Sequence, residues 1–249
     1  MAIARLNASV FKSIIDSVSK LSTNAVFYFN TDGITMQAMD SCHVALCFMK
    51  LDKSGFVEYE CTKDLNIGLS LVELSRVLKC SVKDDGLQIE LVDGKKMSVS
   101  LLKSSRTLGF EVNSMDIDVD ILQIPDACYE STVTMPSSEF KSVVKDISTM
   151  GESCTIDIVS GCMTLFSEKD GGLMTFKDPE KNGIIVEGTS KGTFSNKYLQ
   201  LFTKASALDK RVVLKLSTSE PICVEYKIGD LGALKFYLAP KTDDDESMN

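Results

Sequence analysis

The chain has 249 residues, 44% of them apolar, and a formal net charge of −8. That is enough to bury a core in one large domain or two ordinary ones. The acidic balance excludes the generally basic surface of an ordinary nucleic-acid binder, so any DNA contact must come from local charge placement. No early apolar run resembles a secretory leader, and no stretch approaches the ~20 continuous apolar residues of a membrane span, so a soluble protein with no membrane partner is expected.

The first strong signal is FKSIIDSVSKL at Phe11–Leu21, where Phe11, Ile14, Ile15 and Val18 recur at helical spacing. An alternating strand over Ala25–Phe29 follows, then a turn carrying Gly33 and a second strand. Ser70–Cys80 reads as another helix, and Leu87–Leu91 and Met97–Leu102 as strands. The same order then returns. FKSVVKDISTM at Phe140–Met150 places Phe140, Val143, Val144 and Ile147 as the first run placed its own apolar set. A strand over Thr155–Val159, a turn at Gly161, a helix over Ser195–Ala205 and strands over Val212–Leu216, Ile222–Ile228 and Ala233–Leu238 complete it. The expected fold class is α+β: two similar domains, each with two helices packed on antiparallel sheets.

Between the repeats lies SMDIDVDILQIPDACYES, acidic and interrupted by Pro125, which suits an extended crossing segment better than a helix. The expected organisation is an N-terminal domain over 1–115, a connecting loop over 116–131, a C-terminal domain over 132–241 and an acidic, mobile tail over 242–249.

The eight cysteines, Cys42, Cys47, Cys61, Cys80, Cys128, Cys154, Cys162 and Cys223, form no CxxC pair, and His43 is the only histidine. Reduced cysteines in an intracellular protein are expected, with no metal. His43 beside Asp40 and Cys42 is weak support for nucleophilic catalysis. The pairs Gly171–Gly172 and Gly229–Gly232 lack P-loop or dinucleotide spacing and read as turns. The alternating Asp116, Asp118 and Asp120 read as an exposed acidic strand rather than a cation site. No enzyme activity and no cofactor are expected.

The predicted helices concentrate base. They carry Lys12, Lys20, Arg76, Lys79, Lys141, Lys145, Lys197 and Lys204 against only Asp16, Glu73, Glu139 and Asp146, inside a chain that is acidic overall. If the helices share one face of the sheets, that face is basic and suits the phosphates of duplex DNA, contacted without sequence preference and with steep salt dependence.

Three longer runs, MDSCHVALCFMKL at Met39–Leu51, DIDVDILQIPD at Asp116–Asp126 and VEYKIGDLGALKFYLAPK at Val224–Lys241, closely resemble the proliferating cell nuclear antigen family of eukaryotic sliding clamps. LSRVLKC at Leu74–Cys80 and FTKA at Phe202–Ala205 do so too, and the likeness runs in order along essentially the whole chain. The resemblance implies the DNA-clamp fold in a head-to-tail homotrimeric ring, nuclear, with helices lining the hole. A subunit of a heterotrimeric checkpoint clamp is the alternative within the class.

By family position the inner-surface bases are Lys12, Arg76, Lys79, Lys145, Lys197 and Lys204. Lys20 and Lys141 fall one residue from the usual positions, which Ser19 and Ser142 occupy. Ring closure would pair Thr107–Asn113, with Leu108, Phe110 and Val112, against Gly172–Lys177 of the next subunit, with Leu173 and Phe176. At ~1 kcal/mol net per ladder hydrogen bond such an edge is modest, and a trimer that dissociates on dilution is expected.

The resemblance further implies a peptide pocket under the connecting loop, formed by Met39, His43, Val44, Leu46, Ile117, Leu122, Ile124, Pro125, Tyr129, Pro221, Ala239 and Pro240. It would take partners bearing Q-x-x-[ILM]-x-x-aromatic-aromatic, namely DNA polymerase, the clamp loader, flap endonuclease and DNA ligase. A few apolar anchors at ~1.5–3 kcal/mol each, less ordering costs, suggest roughly micromolar affinity. Two departures stand out: Gln123 replaces a usual glycine, and Ser160 stands near a usual modifiable lysine.

Overall fold

The computed structural model describes residues 1–117, 128–159, 161–167, 172–176 and 183–241. By its contacts the chain divides into two compact units, Met1–Leu122 with Lys227–Leu234, and Gln123–Tyr226 with Lys235–Asn249. The expected connecting loop and the tail lie largely outside the described residues.

The first unit runs β1 (Ala2–Asn7), α1 (Ala8–Val18), β2 (Asn24–Asn30), β3 (Gly33–Met39), β4 (Ala45–Asp52), β5 (Glu58–Cys61), β6 (Leu65–Ser70), α2 (Leu71–Leu78), β7 (Gly86–Leu91), β8 (Lys96–Leu102) and β9 (Thr107–Asn113). Its strands pair in the orders β5-β1-β7-β8-β9 and β6-β2-β3-β4, antiparallel wherever the register is defined. Helices α1 and α2 pack on each other, α1 against β1 and α2 against β2, β6 and β9.

The second unit runs β10 (Ser131–Pro136), α3 (Ser137–Ile147), β11 (Ser153–Val159), β12 (Cys162–Phe166), β13 (Leu173–Thr175), β14 (Ile185–Gly188), β15 (Ser190–Ser195), α4 (Asn196–Phe202), β16 (Arg211–Leu216), β17 (Ile222–Lys227) and β18 (Gly232–Leu238). The pairing orders are β14-β10-β16-β17-β18 and β15-β11-β12-β13. Each strand of one unit thus has a counterpart at the same place in the other. The repeat visible in FKSIIDSVSKL and FKSVVKDISTM extends to the whole topology, and the α+β reading holds.

Both long helices are driven by one buried stripe. Phe11, Ile14, Ile15 and Val18 of α1 and Phe140, Val143, Val144 and Ile147 of α3 are all at most 3% exposed. Removing such side chains from water contributes ~1.5–3 kcal/mol each. Both helices begin and end three residues earlier than the apolar spacing predicts. For α1 the reason is the Asn7 side chain, which accepts the Ser9 N–H at 2.8 Å and starts the helix there. Lys20 therefore lies in the turn after α1 rather than on it. α4 is shorter than expected and continues as a tighter 3-10 turn over Thr203–Ala207, so Lys204 sits on that turn.

The strands bury alternate residues, as in β2, where Ala25, Phe27 and Phe29 point inward. Gly33 opens β3 with φ 146°, and a Cβ there would fall 2.0 Å from the Leu51 carbonyl oxygen. The Gly33 turn expected from sequence is thus required sterically. Gly229, at φ 53°, confirms the turn read at Gly229–Gly232.

Candidate nucleic-acid interface and partner surface

The basic residues predicted to contact DNA can be placed unit by unit. In the first, Lys12 is half-buried on α1, flanking its apolar stripe, while Arg76 on α2 and Lys79 at its C-terminal cap are exposed, as is Lys20. The Ser75 hydroxyl donates to Asp16 across the α1–α2 contact at 2.8 Å, so the one acid on α1 is engaged by a hydroxyl. In the second unit Lys141 and Lys145 follow one another by a turn of α3, and Lys197 and Lys204 share the outer side of α4 and its extension; all four are exposed.

None of these residues takes part in the described ion pairs. The described pairs are Arg5–Glu58, Lys50–Asp52, Lys96–Glu111, Lys103–Asp85, Lys215–Glu225 and Lys235–Glu225, and every cation among them lies on or beside a strand. Among the described residues none of the eight helix-associated cations has a carboxylate partner. Lys197 instead holds its ammonium 5.5 Å from the Tyr198 ring centroid. Cations without internal partners keep their full charge available for an external anion.

The residues predicted for a partner pocket fall in both units. In the first, Met39 and Leu46 are direct partners in the β3–β4 register. The turn between them is built on Asp40, only 5% exposed. Its carboxylate accepts the N–H groups of Cys42, Val44 and Ala45 at 3.0, 2.9 and 2.7 Å. That arrangement sets His43 in the left-handed region at φ 59°, the one non-glycine residue there among those described, and leaves His43 and Val44 exposed. With its carboxylate turned to these backbone amides, Asp40 shapes the turn that carries His43. Sequence reasoning missed this role, although an aspartate two to five residues before the amides it accepts is an Asx-turn signature.

Ile117 is half-buried at the end of a short extended segment whose Met115 N–H donates to the Gly68 carbonyl of β6 at 2.9 Å. A Cβ on Gly68 would lie 2.4 Å from the Met115 carbonyl oxygen, so glycine permits this approach. Leu122, Ile124 and Pro125, like Gln123, Ser160 and the pair Asp118 and Asp120, lie outside the described residues.

In the second unit Tyr129, Pro221, Ala239 and Pro240 are half-buried. Tyr129 and Tyr237 both lie beside the thiol of Cys223, and burial followed by this thiol raises both phenols above their usual range. Burial also pushes the Cys223 thiol up to about 11, against the opposing pull of Lys215. Cys223 and Tyr237 were not anticipated at this surface, since no local spacing links them to Tyr129.

The expected subunit edges are both strands that end a sheet. β9 ends the five-stranded sheet of the first unit and β13 ends a four-stranded sheet of the second. Leu108 and Phe110 are half-buried and Val112 is buried inside its own unit, while Leu173 is 71% exposed and Phe176 half-buried. β13 covers only Leu173–Thr175 of the expected Gly172–Lys177 span, and Lys177 lies outside the described residues.

The described cysteines are all free. No group of three potential metal ligands occurs among the described residues, and no described helix is long and apolar enough to cross a membrane.

Comparison with known proteins gives one answer over the full length. The profile described as proliferating cell nuclear antigen, N-terminal domain, matches residues 1–123, and that described as proliferating cell nuclear antigen, C-terminal domain, matches residues 123–241. The chain is 37% identical over 256 residues to proliferating cell nuclear antigen of Caenorhabditis elegans, covering 98% of this chain and 97% of that protein. It is 37% identical over 260 residues to the protein of the same name from Chaetomium thermophilum, covering 98% and 99%. With both domain profiles matched in order on a duplicated α+β topology, the chain belongs to the proliferating cell nuclear antigen family.

Proposed function

We propose that this sliding clamp acts as a nuclear homotrimer that encircles duplex DNA and holds replication and repair enzymes on it, without catalysis of its own. The observation that carries the reading is the placement of charge: on an acidic chain, eight cations gather on or beside the four helices, and among the described residues none of them has a carboxylate partner. Such a face binds phosphate backbone without reading bases, so the clamp can slide, and a closed ring converts weak contact into lasting topological attachment. A polymerase held in cis then acts at raised local concentration, which is the source of processivity.

In this reading ring closure joins β9 of one subunit to β13 of the next, with Leu108, Phe110, Leu173 and Phe176 supplying apolar contact. Residues 116–131 connect the two domains. Partners bearing Q-x-x-[ILM]-x-x-aromatic-aromatic, including DNA polymerase, the clamp loader, flap endonuclease and DNA ligase, engage the residues around Met39, His43, Leu46, Tyr129 and Pro240. An external loader opens the ring.

The test is light scattering with DNA binding on the same preparation. The expected mass is three times 27.3 kDa at high concentration, falling on dilution. Lys145→Glu with Lys197→Glu is expected to weaken direct, salt-dependent binding to linear duplex DNA while leaving that mass unchanged. A concentration-independent monomer, or undiminished duplex binding by the double variant, overturns the proposal.

A further inference from the structure

The second unit contains a cleft of about 710 Å³ at one end of its helix pair, between the C-terminal turn of α3 and the start of α4. Two hydrogen bonds build it. Asn196, 2% exposed, donates its backbone N–H to the Glu152 carbonyl and its side-chain amide to the Gly151 carbonyl, both at 2.8 Å, locking α4 to the 148–152 turn. A third bond brings in Lys241 from outside the helices, its N–H donating to the Thr193 carbonyl at 2.8 Å. Lys197 and Lys241 both line the cleft.

The donors in this cleft are unequally engaged. Ser148 and Thr149 give their hydroxyl protons to the carbonyls of Val144 and Asp146. The side chains of Ser195, Gln200 and Lys241 have no partner among the described residues, and Lys197 has only its ring contact. Two lysines, a glutamine and a serine thus share the wall of one space, and Glu152 is the single carboxylate residue among its lining. Lys197 and Gln200 also lie on the exposed side of α4, and Lys145 lies one turn before Ser148 on α3, so the cleft opens onto the basic helix face.

We infer that this cleft seats a phosphate of the duplex backbone, with Lys241 as a DNA contact that no helix carries and Glu152 as a built-in weakener of that contact. The inference rests on the DNA-encircling reading and adds to it a defined anchoring point. A cation held across a cleft from Lys197 straddles a phosphate instead of approaching it from one side. A carboxylate beside it keeps the attraction low enough for the strand to leave again, which suits a ring that must slide.

The experiment is fluorescence anisotropy of a labelled duplex with the full-length protein, at several salt concentrations. It compares Lys241→Ala, Lys241→Arg, Glu152→Gln, Lys197→Ala and, as an exposed control in the other unit, Lys63→Ala. Lys241→Ala is expected to weaken binding about threefold and to reduce the salt slope by about 1, with Lys241→Arg restoring both. Glu152→Gln is expected to tighten binding, and Lys63→Ala to change nothing. Unchanged thermal melting of each variant keeps the comparison clean. If Lys197→Ala weakens binding while Lys241→Ala and Glu152→Gln match the parent, this inference fails and the DNA reading survives. If Lys197→Ala is also silent, the DNA reading itself fails. If Lys241→Ala impairs capture of a Q-x-x-[ILM]-x-x-aromatic-aromatic peptide but not of DNA, the cleft belongs to partner proteins and the inference is overturned.

Discussion

The two units place the same elements in the same order, yet they anchor the start of their long helix differently. In the first, the Ala8 N–H donates to the Asp85 carbonyl at 3.0 Å; in the second, the Ser137 N–H donates to the Lys210 carbonyl at 2.8 Å. The backbone step is shared, but the side chains are opposite in charge. Asp85 is 5% exposed, with its carboxylate 2.7 Å from the Lys103 ammonium, and it also accepts the Val82 N–H at 2.8 Å. Lys103 donates as well to the Cys80 carbonyl beyond the end of α2. Lys210 is exposed and makes no such staple. What two related domains must share is the backbone ladder and the apolar stripe, and polar anchors are free to diverge wherever each satisfies its own groups.

The shared part is tested by the largest effect. Phe11→Ala and Phe140→Ala remove equivalent fully buried rings, each 1% exposed, and are expected to cost about 3–5 kcal/mol apiece. Denaturant unfolding monitored by circular dichroism measures both, and a loss confined to one of them would show that the stripes are not equivalent.

The divergent part is tested next. Lys103→Met leaves Asp85 with little solvent and only the weaker pull of Arg106, so it is expected to destabilise the first unit. Lys210→Met, at the corresponding place, is expected to leave stability unchanged. Hydrogen exchange resolved by unit distinguishes the two.

The same staple predicts a pH dependence. The Lys103 hydrogen bond, with help from the Val82 N–H, holds the Asp85 carboxyl below its ordinary range. A depressed folded-state pKa contributes stability that is fully present above the unfolded carboxylate pKa and is lost as pH falls through the folded value. Acid titration of thermal stability is expected to show this loss, and Lys103→Met to shrink it.

The smallest effect concerns the helix start itself. Asn7→Ala removes the side-chain acceptor for the Ser9 N–H and is expected to cost about 1 kcal/mol. The second unit has no counterpart to remove, because Pro136 stands at the cap of α3 and makes no side-chain bond there. Thermal melting of Asn7→Ala against the parent reads this difference.

Much of the fold was legible because its signals are local. The stripe of Phe11, Ile14, Ile15 and Val18, its copy at Phe140 to Ile147 and the alternation of Ala25, Phe27 and Phe29 each report burial within one element. The helix ends were less legible. The capping bond at Asn7 outweighs the apolar spacing, which continues to Leu21. At the candidate DNA face the residue types were visible in sequence, but their lack of carboxylate partners was not, since pairing depends on which strands and helices lie together.

The sequence by itself determined that the chain is duplicated, that each copy is α+β, and that base collects on helices within an acidic protein. Periodicity and composition report which way each residue faces within its own element, and those facts need nothing else. Only the tertiary structure decided that Asp85 meets Lys103 across 18 positions, that Cys223 lies beside Tyr129 and Tyr237, and that Lys241 shares a cleft with Lys197. Each of these contacts joins segments far apart in the chain, and their partners are chosen by strand order and register, which no local pattern encodes.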